Sequence, residues 1–226
     1  MTFRLKLIII LLIPTIGFSQ EKWKPTKIYF VRHAETIANV TDVYNDSTES
    51  TFTIEGLKQI KILTRKLQPY NFDRIIVSPA WRTQHTIYPF LFSKKQTAEI
   101  WPEIIECCWK SKIDTGYSQV PFVIPYGSKI HVMDTSLFYF KDKTKTRTIA
   151  WETGQYYSGK KLCKQTAKIL KQEIAGKGLT VLIVGHGLHG RLLIKELTGE
   201  SIRLKNASLK YCLVEQKDGS FLLKDI

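Results

Sequence analysis

The chain has 226 residues, of which 43% are hydrophobic and 12% aromatic; it can bury one substantial core and is too apolar to be a disordered segment. Its formal charge of +14 favours anionic ligands, yet the lysines are scattered rather than interleaved with aromatics, which argues against a nucleic-acid surface. Internal repeats and low-complexity tracts are lacking.

At the N-terminus, Arg4 and Lys6 precede an apolar run over 7–13, then Pro14 and a small-residue region ending at Ser19. That order matches a signal peptide cleaved after Ser19, and the run is shorter than the roughly 18 residues of a membrane span. The expected organisation is a signal peptide over 1–19 and a single domain over 20–226, exported to the periplasm or secreted.

Strands and helices then alternate. A strand is expected over 27–32, a polar loop over 41–51, and a helix over 53–67 with Thr53 as N-cap. A strand over 73–77 stops at Ser78-Pro79 and is followed by a helix to about 92; a third strand over 97–101 stops at Pro102. From 110 to 155 the pattern blurs, mixing Phe138, Tyr139 and Phe140 with a Lys/Thr-rich run. This stretch reads as an insertion carrying a short helix and a mobile loop, a candidate lid. A helix over 155–173, a strand over 179–184, a helix from Gly187 to near Gly199, and strands over 208–215 and 220–225 around Asp218-Gly219 complete the chain. The alternation predicts an α/β fold, a three-layer α/β/α sandwich with a mixed, mostly parallel sheet.

Two of the apolar runs end on histidine. Lys27-Ile28-Tyr29-Phe30-Val31 leads into Arg32-His33-Ala34-Glu35-Thr36, and Val181-Leu182-Ile183-Val184 leads into Gly185-His186-Gly187, 153 residues after the first histidine. Ligands of open α/β sheets bind at the carboxyl ends of strands, so both clusters fall where a pocket is expected. Of the four cysteines, Cys107 and Cys108 are adjacent and Cys163 and Cys212 lie apart. Three pairings are possible, and free thiols are equally compatible with the spacing. Without a C-x-x-C pair, a zinc knuckle is not indicated.

Arg32-His33-Ala34-Glu35-Thr36 with Asn39 resembles the RHGET-x-x-N signature of the histidine phosphatase (phosphoglycerate mutase-like) superfamily. Further matches follow in order: Thr53-Ile54-Glu55-Gly56-Leu57-Lys58-Gln59, then Ser78-Pro79-Ala80-Trp81-Arg82-Thr83, then Gly185-His186-Gly187. Ala34 stands where the family usually has glycine, a small residue in either case. The resemblance implies a metal-independent phosphomonoesterase that needs no cofactor and works through phosphohistidine on His33. Arg32, Arg82 and His186 would form the phosphate pocket, with Asn39 and Thr36 as neutral donors. A planar guanidinium suits bidentate phosphate contacts, and a neutral imidazole is a competent nucleophile. The leaving alkoxide needs an acid. Glu106 takes that position if Pro102-Glu103-Ile104-Ile105-Glu106 is aligned with the family's P-x-L-x-E; Glu103 takes it if Trp109 marks the register, and the first alignment is preferred. Implied partners are a phosphorylated small molecule or a phosphoprotein. Two alternatives stay open: a phosphoglycerate mutase-type phosphotransferase, and a phosphate-binding module without turnover.

Overall fold

A computed structural model describes residues 23–107, 123–124, 131–140, 149–150 and 155–226. The expected signal segment and most of the 110–155 insertion, with its lid, lie outside those residues.

The strands are β1 (Lys27–Arg32), β2 (Arg74–Val77), β3 (Ala98–Ile100), β4 (Val123–Ile124), β5 (Phe138–Phe140), β6 (Ile149–Ala150), β7 (Thr180–Gly185), β8 (Tyr211–Glu215) and β9 (Phe221–Asp225). Between them run α1 (Ile37–Thr41), α2 (Asp46–Glu49), α3 (Ile54–Leu67), α4 (Trp81–Lys94), a 3₁₀ turn (Pro102–Ile104), α5 (Gln155–Ile174) and α6 (Gly187–Thr198). Seven strands form one sheet in the order β5-β3-β2-β7-β1-β8-β9, and β4 pairs with β6 apart from it. The five strands from β5 to β1 are parallel, and β8 and β9 close one edge antiparallel. The expected mixed, mostly parallel sheet is therefore the one observed.

Burial on both faces explains why β1 and β7 read as unbroken apolar runs. On one face Phe30, Ile183 and Ile28 pack against Leu170 and Ile174 of α5 and Leu193 and Ile194 of α6. On the other, Val31, Leu182 and Val184 meet Leu63 and Leu67 of α3 and Ile87, Phe90 and Leu91 of α4. These two cores make the three layers.

Two local expectations need correction. The polar 41–51 stretch is not all loop, since α1 and α2 occupy part of it; Asn45 caps α2 by accepting from the Thr48 amide. Phe138, Tyr139 and Phe140 are not a loop either, because they form β5, hydrogen-bonded in parallel to β3 as an edge strand of the sheet. Phe138 is 2% exposed and its two neighbours are much more open, the burial pattern of a short edge strand. Thr53 caps α3 as expected, accepting from the Gly56 amide at 2.9 Å.

Candidate active site

Register brings the site together. Arg32 of β1 stands opposite Gly185 of β7, and Val77 of β2 stands opposite Val184 of β7 and Ile100 of β3. Four strands thus end at one level. The residues just beyond them — His33, His186, the Ser78 to Arg82 turn, and Glu106 six residues past β3 — fall at one edge of the sheet. There lies a cavity of about 1310 Å³ whose lining includes Arg32, His33, Thr36, Asn39, Arg82 and Glu106, whereas His186, fully buried, is not part of that lining. Glu103, the rival acid, is not in that lining; its carbonyl accepts from Thr166 Oγ1 at 2.8 Å. His131 is also away from the cavity, and His85 stacks on Trp81 with ring centroids 3.8 Å apart.

His33 is 2% exposed, and its Nδ1 lies 2.8 Å from the Ala34 carbonyl. A carbonyl only accepts, so Nδ1 carries the hydrogen and Nε2 keeps its lone pair. Burial, with Arg82 and Arg32 adding to it, holds the imidazole well below the usual histidine range and thus neutral. The loop bearing His33 is tied from four sides. The His33 amide donates to Gly185, Thr86 Oγ1 accepts from the Ala34 amide, Gln59 Oε1 accepts from the Glu35 amide, and Asn206 Nδ2 donates to the His33 carbonyl. Glu35 accepts from Thr53 Oγ1 at 2.7 Å, so it anchors the loop to the start of α3. Gly56 is needed in that contact: a Cβ there would collide with the Glu35 carbonyl.

His186 packs edge-on to His33, ring centroids 5.4 Å apart, and is itself fully buried. Its Nε2 lies 2.7 Å from Ser78 Oγ, which also accepts from the Ala80 amide. The hydroxyl keeps a second lone pair, so it can donate to Nε2 or accept from it, and the ring's Nδ1 has no hydrogen-bond partner among the described residues. Burial, Arg82 and His33 keep this ring neutral too. His189, one turn on along α6, is equally buried, and neither ring nitrogen makes a well-formed hydrogen bond; burial pushes it down to about 4.

The two arginines differ. Arg32 donates from Nη1 to the Leu204 carbonyl at 3.3 Å and packs against Gly187, where a Cβ would stand 3.2 Å from its guanidinium carbon. Arg82 is ion-paired with Glu49 of α2 at 3.1 Å. A carboxylate thus occupies the guanidinium that the sequence assigns to phosphate.

Glu106 is partly buried in the wall. Its Oε1 accepts from the amides of His189 (2.9 Å) and Cys107 (3.1 Å), and its Oε2 from Leu188 (3.4 Å). Burial raises its pKa, and those amides together with Arg82 oppose the rise without cancelling it. Asn39 Oδ1 accepts from the Thr36 amide and from Asn206 Nδ2, both at 3.1 Å, and the Thr36 side chain is buried at the same lip. Cys107 is disulfide-bonded; Cys163 and Cys212 are free and buried, and burial raises both thiols. Among the described residues, no group of three or more His, Cys, Asp and Glu is placed to hold a metal ion.

Sequence reasoning passed over Ser78, Asn206, Glu49, Arg191 and Arg203, all of which touch the site or its supports. Ser78 sat inside a quoted motif and could have been found there. The others carry no signal along the chain.

Fold and site together define an α/β sandwich on a mixed, mostly parallel sheet, with two neutral histidines and two arginines at the carboxyl edge of its parallel strands. Residues 28–114 match the family described as histidine phosphatase superfamily (branch 1). The chain is 34% identical over 80 residues to the adenosylcobalamin/alpha-ribazole phosphatase of Salmonella typhi, a match that spans 35% of this chain and 40% of that relative. The chain therefore matches about two fifths of the length of this curated relative. In three dimensions it resembles the alpha-ribazole phosphatase of Shigella flexneri (TM-score 0.60, 19% identity, 88% of this chain and 95% of that one). It is similarly close to a phosphoglycerate mutase of Bacillus anthracis (TM-score 0.60, 18% identity, 91% and 94%). Likeness at that level of identity speaks for the fold.

Proposed function

We propose that the protein is a phosphomonoesterase acting through a phosphohistidine on His33. One observation carries the reading: a buried, neutral imidazole has its Nδ1 on the Ala34 carbonyl and its Nε2 unprotonated, at the floor of a cavity lined by Arg32, Arg82 and Glu106. Arg32 and Arg82 hold the phosphoryl oxygens, Arg82 exchanging the Glu49 carboxylate for substrate. The His186 Nδ1–H, fully buried beside His33, is the further donor. Nε2 of His33 attacks phosphorus in line, the P–O ester bond breaks, and the leaving alkoxide takes the proton of Glu106. The carboxylate so formed then takes a proton from water, whose oxygen attacks the phosphohistidine, releasing phosphate and restoring the acid. Asn39 and Thr36 shape the lip and add neutral hydrogen-bonding groups. The substrate belongs to the phosphorylated small molecules.

The test is hydrolysis of an aryl phosphate in EDTA by the native protein and by His33→Ala, with protein quenched in alkaline detergent and probed for an acid-labile phosphoryl group. Activity that survives EDTA, is lost in the variant and leaves a base-stable label supports the reading. Equal activity in both proteins overturns it. Among the described residues no helix is long and apolar enough to cross a membrane. Export rests on the pattern of residues 1–19 alone, and N-terminal sequencing of the protein recovered outside the cytoplasm tests it.

A further inference from the structure

The cavity lining contains two arginines, Arg191 and Arg203, that the proposed chemistry leaves unused. Arg191 lies one turn beyond Gly187 on α6, on the same helix face, and Gly187 is the residue that packs on the Arg32 guanidinium. One turn is about 5.4 Å along the axis. Arg203 precedes Leu204, whose carbonyl anchors Arg32. Both side chains line the cavity and both are exposed to it. Among the described residues, neither has an ion-pair partner; the one paired arginine of the cavity is Arg82. An exposed arginine on a convex surface is ordinarily a solvated cation. Here two guanidinia share one concave wall with Arg32, where low-dielectric surroundings focus the field and like charges repel until an anion enters. Burial lowers the pKa of Arg32, Glu106 and Tyr44 oppose that fall, and Arg82 and Arg203 add smaller contributions in the lowering direction.

We infer that Arg191 and Arg203 form a second anion subsite, so that the preferred substrate is a phosphomonoester carrying a carboxylate or a second phosphate roughly one helical turn from the scissile phosphate. The inference rests on the phosphomonoesterase reading for its substrate class. Its geometry is independent of that reading. A bidentate guanidinium contact to each group would hold the molecule at both ends and align the ester bond with His33.

The experiment compares n-pentyl phosphate with its ω-carboxylate and ω-phosphate analogues, which differ only in the far group. For the native protein, kcat/KM for at least one doubly anionic analogue should exceed that for pentyl phosphate about tenfold, the span of two charge-assisted contacts. In R191Q/R203Q that ratio should fall about fivefold or more, while K217Q/K224Q, a control with the same change in net charge, should keep it. Which analogue is preferred tells carboxylate from phosphate. A native ratio near one, a ratio unchanged in R191Q/R203Q, or an equal loss in the lysine control overturns the subsite. Calorimetric binding of the matching pair of phosphonates, which cannot turn over, separates the two readings. A phosphonate preference lost in R191Q/R203Q without release of phosphate from any ester would sink the phosphatase reading and leave the subsite standing. Equal binding of both phosphonates by the native protein would sink the subsite, whatever the turnover.

Discussion

Glu49 is the sharpest point at which to perturb the pocket. Its carboxylate lies 3.1 Å from Arg82 Nη1, with the arginine side chain 13% and the glutamate 35% exposed. Exposed ion pairs contribute about 0.2–1 kcal/mol, and partial burial moves this one to the upper end, about 1 kcal/mol. An anion that binds Arg82 must break the pair, so its measured affinity is reduced by that amount. At 1.4 kcal/mol per tenfold, Glu49→Gln should tighten inorganic phosphate about fivefold. The glutamine keeps the length of the side chain and removes its charge. Calorimetric titration with phosphate at low salt reads the effect directly, and the gain should shrink near 1 M salt, where the Debye length is about 3 Å. The opposite physics makes the opposite prediction: if Glu49 serves to hold Arg82 in position, the variant binds phosphate more weakly. Unchanged or weaker binding would refute the competition argument.

Three further outcomes follow from the geometry. Ser78→Ala removes the hydroxyl that holds His186 Nε2 in a buried site, a loss of about 1–2 kcal/mol; kcat for an aryl phosphate should fall roughly tenfold with little change in KM, and an unchanged kcat would show the contact to be immaterial. The site needs His33 neutral and Glu106 protonated. Since His33 titrates below its usual range and Glu106 above its own, kcat/KM should be highest on the acid side of neutrality and fall as pH rises through the Glu106 pKa; Glu106→Gln should lower the rate and abolish that alkaline limb. His189 has its folded pKa depressed to about 4 from 6.5, so between those values the unfolded state binds the extra proton and stability is lost as pH falls. The full loss is about 3 kcal/mol at 1.36 kcal/mol per unit; the stability of the native protein relative to His189→Leu should fall by that amount between pH 6.5 and pH 4, and parallel curves would contradict this assignment.

The N-terminal half of the site was legible because its chemistry is local. Arg32, His33, Thr36 and Asn39 lie within one loop, and Ser78 and Arg82 within one turn, so spacing alone places each set on one side of a strand end. Glu106 was harder to read. The two registers across Pro102 differ by three residues, and the choice depends on the wall that α6 presents: the amides of Leu188 and His189 receive Glu106, whereas Glu103 stays out of the cavity. The β5 edge strand escaped because three aromatics without alternation carry no period, and only pairing with β3 makes them a strand.

What the chain determined by itself was the alternation of apolar strands and amphipathic helices, and with it the layered fold and the level at which both histidines emerge. Burial on two faces leaves a long-range signature in composition, and motifs are short enough to be read in order. The tertiary structure alone decided that Glu49 occupies Arg82, that Ser78 orients His186, that Asn206 ties the His33 loop to Asn39, and that Arg191 and Arg203 share a wall. These are pairings between residues 30 to 170 positions apart or on separate elements, set by the β1–β7 and β2–β7 registers and by helix packing. Sequence spacing holds no record of which charges such packing brings face to face.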